Sequence, residues 1–162
     1  MKVLAILLVG LVAVVGLVLV IAGRDNAELS RDPAGLDADR GASHSGSAAA
    51  DGTPTSGPHQ PDLVTRDGRA ITNDQLLHAI ELGNVVILAD TITAPLRRLQ
   101  REVAGPFDAE IAAAGQAVIL AVREGAGPAT AVAWRRSLRA ASAADPELLR
   151  FVENRLGKGM GE

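Results

Sequence analysis

The chain has 162 residues, of which 48% are apolar, only 2% are aromatic and none is cysteine. These numbers allow one small domain plus accessory segments, and they exclude disulfides, thiolate metal sites and CxxC redox chemistry. The formal net charge of -3 argues against a nucleic-acid partner.

The first predicted element is a membrane anchor. Residues 3–22 are apolar and carry no charge, and a helix of that length spans roughly 30 Å, the thickness of a bilayer's hydrocarbon core. A cleaved signal peptide is the alternative, but its apolar region is typically only about 7 to 15 residues long. We therefore expect residues 1–23 to be an uncleaved transmembrane anchor in the lipid bilayer. Lys2 before the span favours a cell-membrane protein whose C-terminal domain lies outside the cytoplasm.

A disordered linker is predicted next. Residues 24–52 are rich in Ala, Gly, Ser and Asp and contain no aromatic residue. Such a segment cannot bury enough apolar surface to offset the entropy lost on ordering. The folded domain is then predicted to span residues 53–162.

The first half of this domain reads as short alternating elements. Leu63-Val64 is a candidate strand. Thr72 and Gln75 have the spacing of a capping box and predict a helix that ends at Gly83. The apolar run at residues 85–89 predicts a buried strand, because it is short and dominated by β-branched residues.

The second half continues the alternation. The predicted elements are a helix from Thr93 to Gly105, a helical turn or two at residues 107–114, strands at 116–122 and 129–135 that pair as a hairpin, and a last helix from Asp145 to Leu156. The order β-α-β-α-β-β-α predicts an α/β domain in which helices flank a mixed sheet. The same order is consistent with a thioredoxin-like topology, although fold alone implies no function.

Three motifs point to one family. Residues 54–59 read PTSGPH, residues 78–83 read HAIELG and residues 131–136 read AVAWRR. Together they resemble the bacterial family catalogued as domain of unknown function 3105, which has PPTSGPH, HALEHG and TAWGR-like segments. The resemblance covers about residues 44–162. It implies an exported or membrane-anchored protein and carries no established activity.

The sequence departs from the family's pattern at two positions. Thr53 stands where the family has its first proline, and Leu82 stands where it has the second histidine of HALEHG. A histidine at position 82 would lie on the same helix face as His78 and Glu81. Its replacement by leucine removes one candidate ligand.

Three side chains remain as candidate metal ligands. His78 and Glu81 are spaced to meet on the polar face of the predicted helix, and His59 belongs to the PTSGPH motif. We hypothesise that His59 and His78 approach each other and bind copper or zinc with Glu81, with His44 of the linker as a further candidate. The alternative is structural: His78 is solvated, Glu81 bonds a neighbouring loop, and His59 holds the linker against the domain.

Two classes of function therefore stay open. One is an extracytoplasmic binding or interaction module that acts on an envelope protein partner. The other is an extracytoplasmic metal-binding protein that uses His59, His78 and Glu81. No motif predicts an enzyme, and no nucleic-acid partner is expected.

Overall fold

A computed structural model of the protein describes residues 46–161. The predicted anchor at residues 3–22, most of the predicted linker and His44 lie outside these residues. Within the described part, no helix is both long and apolar enough to cross a membrane.

The described residues form a small mixed α/β domain with six strands and four helices. In chain order these are β1 (Ser47–Ala48), β2 (Pro54–Ser56), α1 (Asn73–Leu82), β3 (Val85–Ala89), α2 (Ala94–Ala104), α3 (Ala109–Ala113), β4 (Val118–Val122), β5 (Ala129–Ala133), β6 (Arg136–Ala140) and α4 (Pro146–Arg155). The predicted α/β class is confirmed, and each predicted helix is present within a few residues of its expected bounds.

The main sheet has four strands in the order β4-β3-β5-β6. β3 and β4 are parallel, with Val85 opposite Val118 and Ala89 opposite Val122. β5 runs antiparallel to both β3 and β6. All five residues of β3 are buried, which explains why a central strand covered on both faces reads as a continuous apolar run.

Helices cover both faces of this sheet. On one face, Leu76 and Ile80 of α1 share a core cluster with alternate residues of β3 and β4. On the opposite face, Leu96 of α2 and Leu148 of α4 share a second cluster with the remaining residues of these strands. All four side chains are fully buried, and burial of each stabilises the fold by about 1.5–3 kcal/mol. The result is a three-layer domain with α1 on one side and α2 and α4 on the other.

The predicted strand at Leu63-Val64 is wrong. Neither residue has a strand partner within residues 46–161, and Val64 instead buries its side chain beside α1. The extended pairing occurs a few residues later, where Arg69 forms a parallel bridge with Ala121 of β4. The Gly68 amide also donates to the Leu120 carbonyl at 2.7 Å, so this segment covers the outer edge of β4.

The predicted hairpin between residues 116–122 and 129–135 is also wrong. β5 ends at Ala133 and pairs with β3 and β6, not with β4. The chain reverses at Trp134–Arg135, and Arg135 adopts a φ of 58°. This turn lacks the Gly, Asn or Asp that usually signals a two-residue hairpin, so the sequence pattern does not predict β6.

Residues 46–52, which were assigned to the linker, take part in a hairpin with the start of the domain. β1 pairs antiparallel with β2, and Ser47 Oγ lies 2.8 Å from both Thr55 Oγ1 and Ser56 Oγ. β2 in turn contacts α1. The hairpin therefore sets the PTSGPH motif beside this helix.

Candidate metal centre

Helix α1 carries two of the three predicted ligands. It begins with a complete capping box, in which the Gln75 amide donates to Thr72 Oγ1 and the Thr72 amide donates to Gln75 Oε1. This pair satisfies two amides that would otherwise lack partners in the first turn. His78 and Glu81 follow at a spacing of three residues, so their side chains project from the same face of the helix.

The C-terminal end of α1 is held from two sides. The buried side-chain amide of Asn84 donates through Nδ2 to the carbonyls of Ala79 and Ala112, at 3.0 and 2.8 Å. From the end of the chain, the Met160 amide donates to the Glu81 carbonyl at 3.1 Å. These contacts fix the backbone of the helix turn that carries Glu81, so the two candidate ligands of α1 are held in place.

The third ligand comes from the loop after β2. The Arg135 amide donates to the Thr55 carbonyl at 2.8 Å, which ties β2 to the β5–β6 turn. Three residues beyond the end of β2, His59 turns towards α1, and its side chain is only 5% exposed. Its Nδ1 lies 3.0 Å from the Gly57 carbonyl oxygen. Since a carbonyl can only accept, His59 Nδ1 carries a hydrogen and Nε2 is the atom directed at Glu81.

Three polar side chains converge at this point. His59 Nε2 lies 3.1 Å and His78 Nδ1 lies 3.6 Å from the same atom, Glu81 Oε2. The two imidazole rings have centroids 5.8 Å apart and are tilted by 50°. A carboxylate oxygen can only accept, so its contact with His59 Nε2 is favourable when a cation lies between them, either a proton or a metal ion.

His78 Nδ1 is buried and has no hydrogen-bond partner among the described residues. Its 3.6 Å separation from Glu81 Oε2 is longer than a hydrogen bond. A buried polar atom without a partner costs about 1–3 kcal/mol, and such groups are rare in native proteins. A lone pair directed at a metal ion would give this atom its missing partner.

The dimensions of the cluster suit a single ion. Bonds of about 2.0–2.1 Å to a tetrahedral metal place neighbouring ligand atoms about 3.4 Å apart. One ligand atom from each of His59, His78 and Glu81 lies within 4.8 Å of the other two. Side-chain rotations that move the ligand atoms by about 1–1.5 Å would shorten the widest separation to about 3.4 Å.

The structure therefore brings together the three side chains that were predicted as ligands. His78 lies on the predicted polar face but is only 9% exposed, so the structural alternative of a solvated His78 is wrong. Leu82 is half-buried and lines a small cavity together with His78, so a side chain at position 82 lies beside His78. The sequence does not predict the contacts that Asn84 makes with Ala112 and Met160 makes with Glu81. The residues of each pair are distant in the chain, and the Met160–Glu81 bond joins backbone atoms only.

A second polar region lies at the turn of the β1–β2 hairpin. The Thr53 amide donates to Asp51 Oδ1 at 2.9 Å, and this hydrogen bond lowers the pKa of the Asp51 carboxyl below 3.8, with a smaller contribution from Arg139. Burial lowers the pKa of Arg123, whose guanidinium donates to Asn73 Oδ1 at 2.9 Å. Arg139 Nη1 lies 3.8 Å from Asp51 Oδ2, so the hairpin turn is joined to β6, whereas the Arg123–Asn73 bond joins the end of β4 to the start of α1.

The fold and the cluster define a three-layer α/β domain with a histidine–carboxylate cluster built on one helix. Residues 48–162 match the model of a protein family described as Protein of unknown function (DUF3105). The match covers well over half of the chain, so the chain belongs to this family. The comparison with curated proteins finds no match, and neither does the comparison with solved structures.

Proposed function

We propose that this protein binds a transition-metal ion, copper or zinc, through His59, His78 and Glu81. The observation that carries the proposal is the convergence of three ligand atoms within 4.8 Å. The buried Nδ1 of His78, which has no hydrogen-bond partner within the described part of the chain, adds to it. A purely structural cluster would gain nothing from leaving this atom without a partner.

The ligand types narrow the choice of metal. Imidazole nitrogens and one carboxylate favour Zn²⁺ or Cu²⁺, whereas Ca²⁺ and Mg²⁺ require mostly oxygen ligands. The chain has no cysteine, so it offers no thiolate ligand, the type that favours Cu⁺. Three protein ligands leave a fourth position for water or for His44, which lies outside the described residues.

The test of metal binding is calorimetric titration of the purified full-length chain with Zn²⁺ and Cu²⁺. We expect one ion per chain, and we expect His59→Leu, His78→Leu and Glu81→Gln each to weaken binding by at least tenfold. Glu153→Gln, on the exposed surface of α4, is the matched control and leaves the affinity unchanged. Absence of stoichiometric binding, or binding that His78→Leu does not alter, would refute the proposal. That outcome would favour the other predicted class, an interaction module for an envelope protein.

We also propose that residues 3–22 anchor the protein in the lipid bilayer and that the domain lies outside the cytoplasm. The length of the apolar segment supports the membrane anchor. Lys2, which precedes the segment, supports the orientation. The chain has no cysteine, so Glu153→Cys introduces a single reactive thiol at an exposed position. A membrane-impermeant maleimide should label this variant in intact cells. Labelling that requires cell lysis would contradict the orientation.

A thioredoxin-like topology is the finer proposal for the fold. Two features support it: β5 is the one antiparallel strand of the four-stranded sheet, and α2 and α4 pack on the face opposite α1. Without cysteine the topology supplies no dithiol chemistry. An experimental structure with a different strand order would overturn this assignment.

A further inference from the structure

The segment that delivers His59 has few attachments of its own. Residues 58–66 form neither helix nor strand, and none of the backbone hydrogen bonds among the described residues involves them. The buried side chains of the segment are those of His59, with 5% exposure, and Val64. The remaining residues are exposed: Pro58, Gln60, Pro61, Asp62, Leu63, Thr65 and Arg66. His59 is therefore one of two side chains that hold this segment against the domain.

The partners of His59 belong to a much more rigid part of the molecule. His78 and Glu81 lie on α1, which contributes Leu76 and Ile80 to the core. The backbone of Glu81 is fixed by the Met160 amide. A metal ion bound by all three ligands would thus join the loosely attached residues 58–66 to a helix that is packed into the core. It would also close the chain between His59 and His78 into a loop of about 20 residues.

We propose that metal occupancy of the His59–His78–Glu81 site fastens residues 58–66 to α1. This inference rests on the proposed function, and it adds a consequence: the metal controls how firmly residues 58–66 are attached to the domain. The regulating ligand is a divalent zinc or copper ion.

Linkage gives the size of the effect. An ion that binds the closed loop, but not the opened one, reduces the population of the opened form by a factor of 1 + [M]/Kd. At a free-ion concentration of about 100 Kd, opening of residues 58–66 becomes about 100-fold rarer. Proteolysis of an opened segment follows this population when opening and closing are fast relative to cleavage.

The experiment is chymotrypsin cleavage of the full-length chain after Leu63, which is 47% exposed, followed by mass spectrometry. In EDTA, we expect cleavage after Leu63 to precede cleavage after Phe151 in α4, because the loop opens without unfolding of the core. Zn²⁺ at about 100 Kd should slow the cleavage after Leu63 by about 100-fold. A small peptide substrate measured in parallel corrects for any effect of zinc on the protease.

Variants separate the loop ligand from the rest of the chain. His59→Leu removes the loop's ligand and should abolish the protection by zinc, and Glu81→Gln should do the same from the helix side. Glu153→Gln keeps the protection. If calorimetry shows zinc bound at the site while cleavage after Leu63 is unchanged, the fastening is refuted and the metal site stands. If no zinc binds to the wild-type chain, both the site and the fastening are refuted.

Discussion

Replacing His78 by leucine should stabilise the metal-free protein. His78 Nδ1 is buried without a hydrogen-bond partner among the described residues, and relief of such an atom is worth about 1–3 kcal/mol. Leucine also favours the helix and buries apolar surface at a position that is only 9% exposed. We therefore expect the free energy of unfolding, measured by urea titration in EDTA, to rise by about 1–2 kcal/mol.

Zinc should reverse this ranking. At about 100 Kd of free zinc, the wild-type protein should gain about 2.7 kcal/mol, and the His78→Leu variant should gain almost nothing. The urea titrations with EDTA and with zinc would thus show that His78 destabilises the metal-free protein and stabilises the zinc-bound protein.

His59→Leu is the matched control, because it makes the same chemical change within the same cluster. Both ring nitrogens of His59 have partners, at 3.0 Å from the Gly57 carbonyl and 3.1 Å from Glu81. Its loss should therefore destabilise the metal-free protein by about 1–2 kcal/mol, the opposite sign to His78→Leu. If His78→Leu also destabilises the metal-free protein by more than about 1 kcal/mol, then His78 Nδ1 is satisfied in solution and the reasoning fails.

Three further predictions concern the helix, its neighbours and the hairpin. Leu82→His places an imidazole one helical turn from His78 and should tighten zinc binding at least tenfold, about 1.4 kcal/mol by calorimetry; unchanged affinity would place residue 82 outside the site. Gly115→Ala should lower the free energy of unfolding by about 3 kcal/mol or more, because a methyl group there meets the Leu82 carbonyl oxygen and the backbone has a φ of 75°; a loss below about 1 kcal/mol in urea would contradict the close contact. Asp51→Asn should destabilise the protein near neutral pH, because the lowered pKa of Asp51 stabilises the fold while the carboxylate is charged, and this loss should fade only as the pH falls below 3.8 and through the lowered pKa of the folded protein; a pH-independent loss would refute this.

The helices could be predicted because their signals are local. Thr72 and Gln75 cap α1 as their spacing indicates, and Asp145 Oδ1 accepts from the Glu147 amide at the start of α4. The apolar run of β3 was predictable for the same reason, since a strand buried on both faces must be apolar throughout.

The missed strands depend on contacts between distant residues. β6 follows a turn at Arg135 in which a non-glycine residue adopts a positive φ, and such conformations are uncommon outside Gly, Asn and Asp. β1 consists of Ser47 and Ala48, which have little strand propensity, and its pairing relies on hydroxyl contacts with Thr55 and Ser56.

The candidate site was predictable in its membership but not in its environment. The i, i+3 spacing places His78 and Glu81 together, and the PTSGPH motif marks His59. A helical wheel shows only one element, so it cannot show that other parts of the chain exclude solvent from the polar face of α1. Among the described residues His78 Nδ1 has no hydrogen-bond partner, and this follows from that burial; it supports the convergence of the three ligand atoms as an indication of a ligand.

The C-terminal residues Gly159 and Met160 contact the helix turn that carries Glu81, so changes at this end of the chain should affect the candidate site. Gly159 lies so close to the Glu81 carbonyl that no side chain fits there, and the next amide, that of Met160, bonds the same carbonyl. Truncation of these C-terminal residues therefore acts on the helix turn that carries Glu81. Deleting residues from Gly157 onward should weaken zinc binding although it removes no ligand, whereas a tag placed at the N-terminus leaves this contact intact.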